Sequence, residues 1–336
     1  MRALLFLICC SSLFSTQIEE KVLICGIGRK IGSTVPNVIH SATALGSRFL
    51  DYRVIIYENN STDNTKSLLN AWASKNPKVQ FISQKLTKRK IVKELSMGVM
   101  NRTEAIARAR NIVLKVAMGK QFDDYKYVIW ADLDFLEPWD IESIVETIFH
   151  PEQEWDAVFA YGAYDLFAFR SAECPIGFEL LGVSYWEKLD QIRKAFTFNR
   201  ESPWKKVYSA FGGLAIYKRT ALKNCHYSGV ITKDLEKLAA VWLEKARGQE
   251  RICFLKEYEE LLKKGMVIDL EGDRLDQRDT LPEQIGVRKP KSKVVWFSCT
   301  PNTTLPWTCE HIPLHASMIL NGHDKLFINP KIRSGH

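Results

Sequence analysis

Tyr127-Val128-Ile129-Trp130-Ala131-Asp132-Leu133-Asp134 decides how this chain is read. Five consecutive apolar or aromatic residues describe a buried strand. The strand ends in two carboxylates two positions apart. Where a strand leaves its sheet, Asp132 and Asp134 can grip a divalent ion held on a diphosphate, and hard oxygen ligands suit Mg2+ or Mn2+. An acidic surface turn produces the same Asp-x-Asp pattern, so the neighbouring segments must choose between the two.

Upstream, Lys21 to Ile27 is a short buried strand leading into Gly28. Ser33 or Thr34 then starts a helix with Pro36 in its first turn, and Val35, Val38, Ile39, Ala42 and Leu45 keep helical spacing. Tyr52 to Tyr57 is a second strand, running into Glu58-Asn59-Asn60-Ser61-Thr62-Asp63-Asn64-Thr65. A helix over about 65–74 follows, then a third strand at Val79 to Ile82, a long helix over about 103–118, and the Asp132 strand. This rhythm predicts an α/β fold with a mostly parallel sheet flanked by helices on both faces. Such sheets bind ligands beyond the carboxyl ends of their strands. Glu58 to Asp63 and Asp132 to Asp134 both lie at such ends and are therefore expected to face one crevice. Asp63 also reads as a helix cap.

The second half is less regular. Trp155 to Ala160, Phe211 to Tyr217 and Val294 to Phe297 read as strands; about 233–246 and 254–264 read as helices; 271–293 is polar and reads as a loop. No linker is evident. Residues 18–336 are expected to form a single large domain, with a nucleotide half at 18–140 and an acceptor half at 141–336.

Composition sets outer limits. The 336 residues are 46% hydrophobic and 26% charged, which describes an ordinary packed chain with a sizeable core. The formal charge of +8 favours anionic ligands such as nucleotide diphosphates, or a membrane surface. The dense run from Lys85 to Lys93 alternates with apolar residues and reads as a solvated helix face. Zinc-finger spacing, RNA-binding signatures and internal repeats are absent from the sequence, so no nucleic-acid partner is expected. The cysteines beyond Cys9 and Cys10 are scattered without metal-ligand pairing. Residues 1–17 carry Arg2, a short apolar core and small polar residues, the pattern of a signal peptide or short anchor. The expected localisation is therefore membrane-associated or secretory, with the cytoplasm as the alternative. Against the lumen stand two glycosylation sequons beginning at Asn59 and Asn60, inside the expected pocket.

Three segments resemble GT-A glycosyltransferases. Glu58 to Thr65 is similar to their first nucleotide-binding loop; Glu58 matches the acid that contacts base or ribose, Asp63 and Thr65 match the turn and cap, and Asn59 stands where a second Asp is common. Ala109-Arg110-Asn111 resembles an Ala-Arg-Asn element ahead of the Asp-x-Asp strand, which implies that Arg110 reaches the nucleotide or diphosphate. Cys309-Glu310-His311 resembles the late acidic motif; Glu310 matches its first acid, and His311 replaces an Asp. That likeness makes Glu310 or His311 a base, or His311 a third metal ligand beside Asp132 and Asp134.

The whole arrangement, with Tyr161-Gly162-Ala163-Tyr164-Asp165 and Phe211-Gly212-Gly213, most resembles the fungal capsule-associated mannosyltransferase group. The resemblance implies a GT-A, Rossmann-like domain that is a metal-dependent hexosyltransferase. Its donor is a nucleotide-sugar, in which mannose is one candidate, and its acceptor is a glycan or glycoconjugate. An inverting route needs the Glu310 or His311 base; the capsule-type likeness implies a retaining one, with Asp165 and Glu179 near the sugar. A sugar nucleotidyltransferase is the enzymatic rival, since Gly26-Ile27-Gly28-Arg29-Lys30 is a faint Gly-rich basic loop. A noncatalytic carbohydrate-binding module of the same fold is the other.

Overall fold

The computed structural model describes residues 17–94, 102–150, 153–162, 166–175, 177, 192–194, 196–245, 267–271, 274–275, 295–297 and 308–333. The first half folds as its pattern dictates. Strand β1 (Ile18–Gly28) leads to helix α1 (Val35–Gly46), β2 (Phe49–Asn59), α2 (Thr65–Lys75), β3 (Val79–Gln84), the short α3 (Lys88–Glu94), α4 (Arg102–Ala117) and β4 (Tyr127–Asp132). The strands lie in the order β3-β2-β1-β4, all parallel. Their near-continuous runs of Val, Ile and aromatics suit strands covered on both faces.

Beyond β4 the sheet changes sense. After α5 (Ile141–Ile148) come β5 (Ala157–Tyr161), β6 (Lys205–Lys206) and β7 (Leu214–Lys218). Strand β7 runs antiparallel between β4 and β5. Helix α6 (Lys233–Lys245) precedes β8 (Val267–Glu271), β9 (Arg274–Leu275) and β10 (Val295–Phe297), which form a separate three-stranded sheet. Helix α7 (His311–Leu320) then leads into β11 (Leu326–Arg333), which enters the main sheet between β5 and β6. The eight-stranded sheet is thus mixed and mostly parallel. Residues 211–213, expected within a strand, form the turn that precedes β7, because Gly212 and Gly213 take φ of 62° and 83°. The helix expected at 254–264 and most of the loop at 271–293 lie outside the described residues.

Strand alternation sorts the core into two layers. Leu23, Cys25, Tyr57, Val128, Trp130 and Tyr217 face α4, α6 and α7. Ile24, Ile56, Ile129, Ala131 and Ile216 face α1, α2 and α5. Burial of each such aliphatic side chain is worth about 1.5–3 kcal/mol. Thr34 stands at the N-cap position of α1 but does not cap it. Its hydroxyl instead donates to the carbonyls of Ile31 and Leu133, at 3.1 and 2.7 Å, which ties the start of α1 to the chain leaving β4.

The expectation of membrane association is corrected: among the described residues, no helix is long and apolar enough to cross a membrane. The apolar leader expected at 1–17 lies, but for Gln17, outside the described residues.

Candidate active site

The carboxyl edge of the parallel strands gathers the candidate residues. Strand β1 lies between β2 and β4; Gly28 pairs with Glu58, and Ile27 with Asp132. Two strand spacings separate the flanking strands, about 10 Å. The acids occupy adjacent rungs, so Asp132 belongs to the face covered by α4 and Glu58 to the opposite face.

Glu58 is 1% exposed. Its carboxylate accepts from the Ser61 N–H at 2.6 Å and the Ser83 hydroxyl at 2.8 Å. The loop that follows is laced to both neighbours. Asn60, in the left-handed region at φ 55°, exchanges two amide hydrogen bonds with the Leu86 backbone, at 2.7 and 2.8 Å. The N–H groups of Lys30, Ile31 and Gly32 donate in turn to Ser61 Oγ, Thr65 Oγ1 and Asp63 Oδ2, at 3.0, 2.8 and 2.9 Å. Asp63 also accepts from the Thr65 N–H at 3.3 Å. Hydrogen bonds from Thr65 and Gly32 hold the Asp63 carboxyl below the usual carboxylate range. Asp63 therefore fastens the first loop to the second and meets the start of α2, one residue ahead of the cap position at Asn64.

Across β1, α4 delivers Arg110. Its placement is fixed by residues on either side. Asn111 exchanges two hydrogen bonds of 2.8 Å with the Tyr227 backbone. About two turns earlier, Thr103 donates to the Gly229 carbonyl at 3.1 Å and Glu104 accepts from the Gly229 N–H at 2.7 Å. Arg110 is 4% exposed. Its Nη2 donates to Asp132 Oδ1 and its Nε to Glu310 Oε1, both at 3.1 Å. The rings of Phe211, Trp130 and Tyr227 surround the guanidinium at 4.8, 5.5 and 5.7 Å. Burial works against its charge, but Asp132 and Glu310 outweigh burial and hold it protonated.

The side chain of Asp132 is 25% exposed, and its N–H donates to the Gly213 carbonyl at 2.8 Å. Burial pushes its carboxyl up to about 6; Arg110 opposes the shift, and Asp134 and Glu310 add to it. Asp134 is exposed just past the strand, and among the described residues its carboxylate has no hydrogen-bond or ion-pair partner. Two mutually repelling carboxylates, one of them open to solvent, fit a hard divalent ion that draws its remaining oxygens from a diphosphate and water.

His311 begins α7. It is 2% exposed and stacks on Phe211, with ring centres 4.0 Å apart. Its Nε2 lies 3.5 Å from Glu310 Oε1, and neither ring nitrogen has a hydrogen-bond partner among the described residues. Burial, then Arg110 and His315, keep it neutral, far below the ordinary histidine range. Among the described residues, no group of three His, Cys, Asp or Glu side chains is arranged to hold a metal. Asp165 and Glu179 lie outside the described residues.

The structure thus brings Arg110, Asp132, Glu310 and His311 together, with Asp134 at the mouth and Glu58 across β1. Tyr227, Phe211 and Gly213 complete the cluster. Asn111 was visible inside the Ala-Arg-Asn run; Tyr227 carries no signal in the sequence, because it contributes a backbone strap and one aromatic wall.

Residues 29–225 match the family described as Glycosyl transferase family 2. The matched span contains Glu58, Arg110, Asp132 and Asp134 and ends before Glu310 and His311. Several solved structures are similar at low identity. Staphylococcus aureus TarS 1-349 is 12% identical, with 67% of this chain and 55% of that chain covered and a TM-score of 0.36. The mannosyltransferase PcManGT from Pyrobaculum calidifontis, solved with GDP-Man and Mn2+, is 13% identical, with 66% and 53% covered and a TM-score of 0.35. Glucosyl-3-phosphoglycerate synthase from Mycobacterium tuberculosis, solved with Mn2+, UDP and phosphoglyceric acid, is 13% identical, with 70% and 66% covered and a TM-score of 0.36. The chain spans little more than half the length of the first two. Comparison with curated proteins gives no match.

Proposed function

We propose, because the chain belongs to glycosyl transferase family 2, that it is a metal-dependent hexosyltransferase. It would move a hexose, with mannose as one candidate, from a nucleotide-sugar to a hydroxyl of a glycan or glycoconjugate. Residues 18–140 would form the nucleotide half of a GT-A domain and residues 141–336 the acceptor half. The observation that carries the reading is the meeting of Asp132 and Glu310 on Arg110, beside the open carboxylate of Asp134.

In this reading Glu58 sets the wall against which the nucleoside lies, with the Asp63 loop held in place behind it. Asp132 and Asp134 would hold Mn2+ or Mg2+, which supplies charge neutralisation at the departing diphosphate. Glu310, held by Arg110 through Oε1, takes the acceptor hydroxyl's proton as the new glycosidic bond forms and the bond to the nucleotide breaks. His311 is a poorer base, because burial and the Arg110 charge disfavour its protonated form. The first loop also supports transfer over nucleotidyl chemistry. Three successive N–H groups that a Gly-rich phosphate cradle would need are bonded to Ser61, Thr65 and Asp63.

The test is a screen of nucleotide-sugars for Mn2+-dependent turnover with wild type and Asp134→Ala. We expect at least one donor to be consumed by wild type and the variant to lose about 100-fold or more in kcat. Equal turnover by both proteins would reject the metal assignment. Sugar binding without turnover of any donor would favour the noncatalytic module.

A further inference from the structure

We infer that Arg110 is a positioning residue that yokes Asp132 to Glu310, and that it does not bind the donor's phosphates. The inference rests on the transferase reading for its kinetic consequence, though not for its geometry.

The guanidinium has five N–H donors in a fixed plane. Nη2 is spent on Asp132 Oδ1 and Nε on Glu310 Oε1. Nη1 is sealed from solvent and bonded to nothing among the described residues. Phe211, Trp130 and Tyr227 wall the group, and its side chain is only 5% exposed. Two of the five donors are used, the pair on Nη1 is sealed, and little of the group is turned toward an incoming diphosphate.

The partners come from distant parts of the chain. Asp132 lies 22 residues after Arg110 and ends β4; Glu310 lies 200 residues after it and stands at the N-cap of α7. One rigid cation therefore sets the direction of both carboxylates at once. It occupies a single oxygen of each. Among the described residues, Asp132 Oδ2 has no hydrogen-bond partner, and Glu310 Oε2 meets only the Cys309 thiol, 3.8 Å away. A lysine ammonium is a point charge on a flexible stem and cannot hold two carboxylates in one plane. Removing the fork leaves charge in place but lets the two acids swing independently, and a misplacement of about 1 Å can cost about 100-fold in rate.

The experiment compares wild type with Arg110→Lys in the full chain, measuring kcat, donor KM and the Kd of a nucleoside diphosphate with Mn2+. The expected result is a kcat loss of about 100-fold with the nucleoside diphosphate Kd within about threefold of wild type. A Kd weakened about tenfold with kcat preserved makes Arg110 a phosphate ligand and overturns the inference. A kcat within about threefold of wild type reduces Arg110 to packing and also overturns it.

A second readout needs no turnover and no Arg110 variant. In wild type, the Arg110 Nε–H proton resonance should be protected from solvent exchange and should shift in Glu310→Gln and in Asp132→Asn. An Nε–H that exchanges like those of exposed arginines, or that ignores both substitutions, sinks the inference. Failure of wild type to consume any nucleotide-sugar strikes the transferase reading and leaves this second readout to decide the yoke.

Discussion

Glu58, next to last in β2, and Asp132, last in β4, lie on the two strands that flank β1, and their places in the register differ by a single residue. That offset turns the two carboxylates to opposite faces of one sheet edge. Each acid then has its own partners. Ser61 and Ser83 bind Glu58, and Arg110 from α4 binds Asp132.

Glu58→Ala should cost about 1–3 kcal/mol in urea unfolding, because it strands the Ser61 N–H and the Ser83 hydroxyl. Nucleoside diphosphate affinity should fall with it as the laced loop loosens. Isothermal titration of the variant alongside its unfolding curve checks both effects, and an unchanged unfolding midpoint would show that the two bonds do not matter.

Asp134→Asn should leave stability within about 0.5 kcal/mol of wild type, as expected for an exposed side chain without partners among the described residues. Mn2+ affinity in the presence of a nucleoside diphosphate should nevertheless fall. Calorimetry of metal binding and a thermal melt separate these. A large drop in melting temperature would mean that the carboxylate has a structural partner.

Gly212→Ala should be severely damaging. At φ 62° a side chain is strained by about 1–2 kcal/mol. A Cβ there would also lie 2.1 Å from the Ala160 carbonyl oxygen, which is backbone and cannot swing aside. Because the adjacent Gly213 carbonyl receives the Asp132 N–H, loss of activity should exceed what the fall in folded fraction explains. Activity per folded molecule, with the folded fraction measured by circular dichroism, is the check.

The two buried histidines predict an acid limb in stability. His315 is pushed down to about 3 by burial, with Ser209 on Nδ1 and Tyr217 on Nε2, each at 2.9 Å. Between pH 6.5 and 3 the unfolded chain binds a proton at this residue that the folded chain refuses. Stability is therefore complete above pH 6.5 and falls as the pH drops, by up to about 1.4 kcal/mol per pH unit for each histidine. His315→Gln should lower stability at neutral pH yet flatten the acid limb. Denaturant midpoints from pH 7 to 4 test it, and an unchanged slope would assign the limb to carboxylates.

The parallel strands were legible because their apolar runs and the helical spacing between them are local patterns. The Asp132 strand and the Glu58 loop came with them, since both lie at strand ends. What local pattern could not show is which partner each polar atom takes. Asp63 looks like a helix cap and is one only in part, because the nearest strong donor is Gly32, 31 residues away. Arg110 looks like a free cation, but its partners arrive from β4 and α7. The antiparallel insertion of β7 leaves no mark in the sequence, because an apolar strand reads the same in either direction. The burial of His311 was recoverable: Ile312, Leu314, Ala316 and Met318 make α7 apolar on every side, and such a helix lies inside.

Strand β11 has a bearing on biosynthesis. It sits between β5 and β6, inside the sheet and not at its margin. A nascent chain therefore cannot finish its sheet until the ribosome has released residues 326–333, although β5 emerged more than a hundred and fifty residues before. Throughout that interval the Ala157-Val158-Phe159-Ala160-Tyr161 edge waits unpaired, an apolar template of the kind that recruits neighbouring chains. Expression yield should consequently depend on chaperones that shield this one strand during translation.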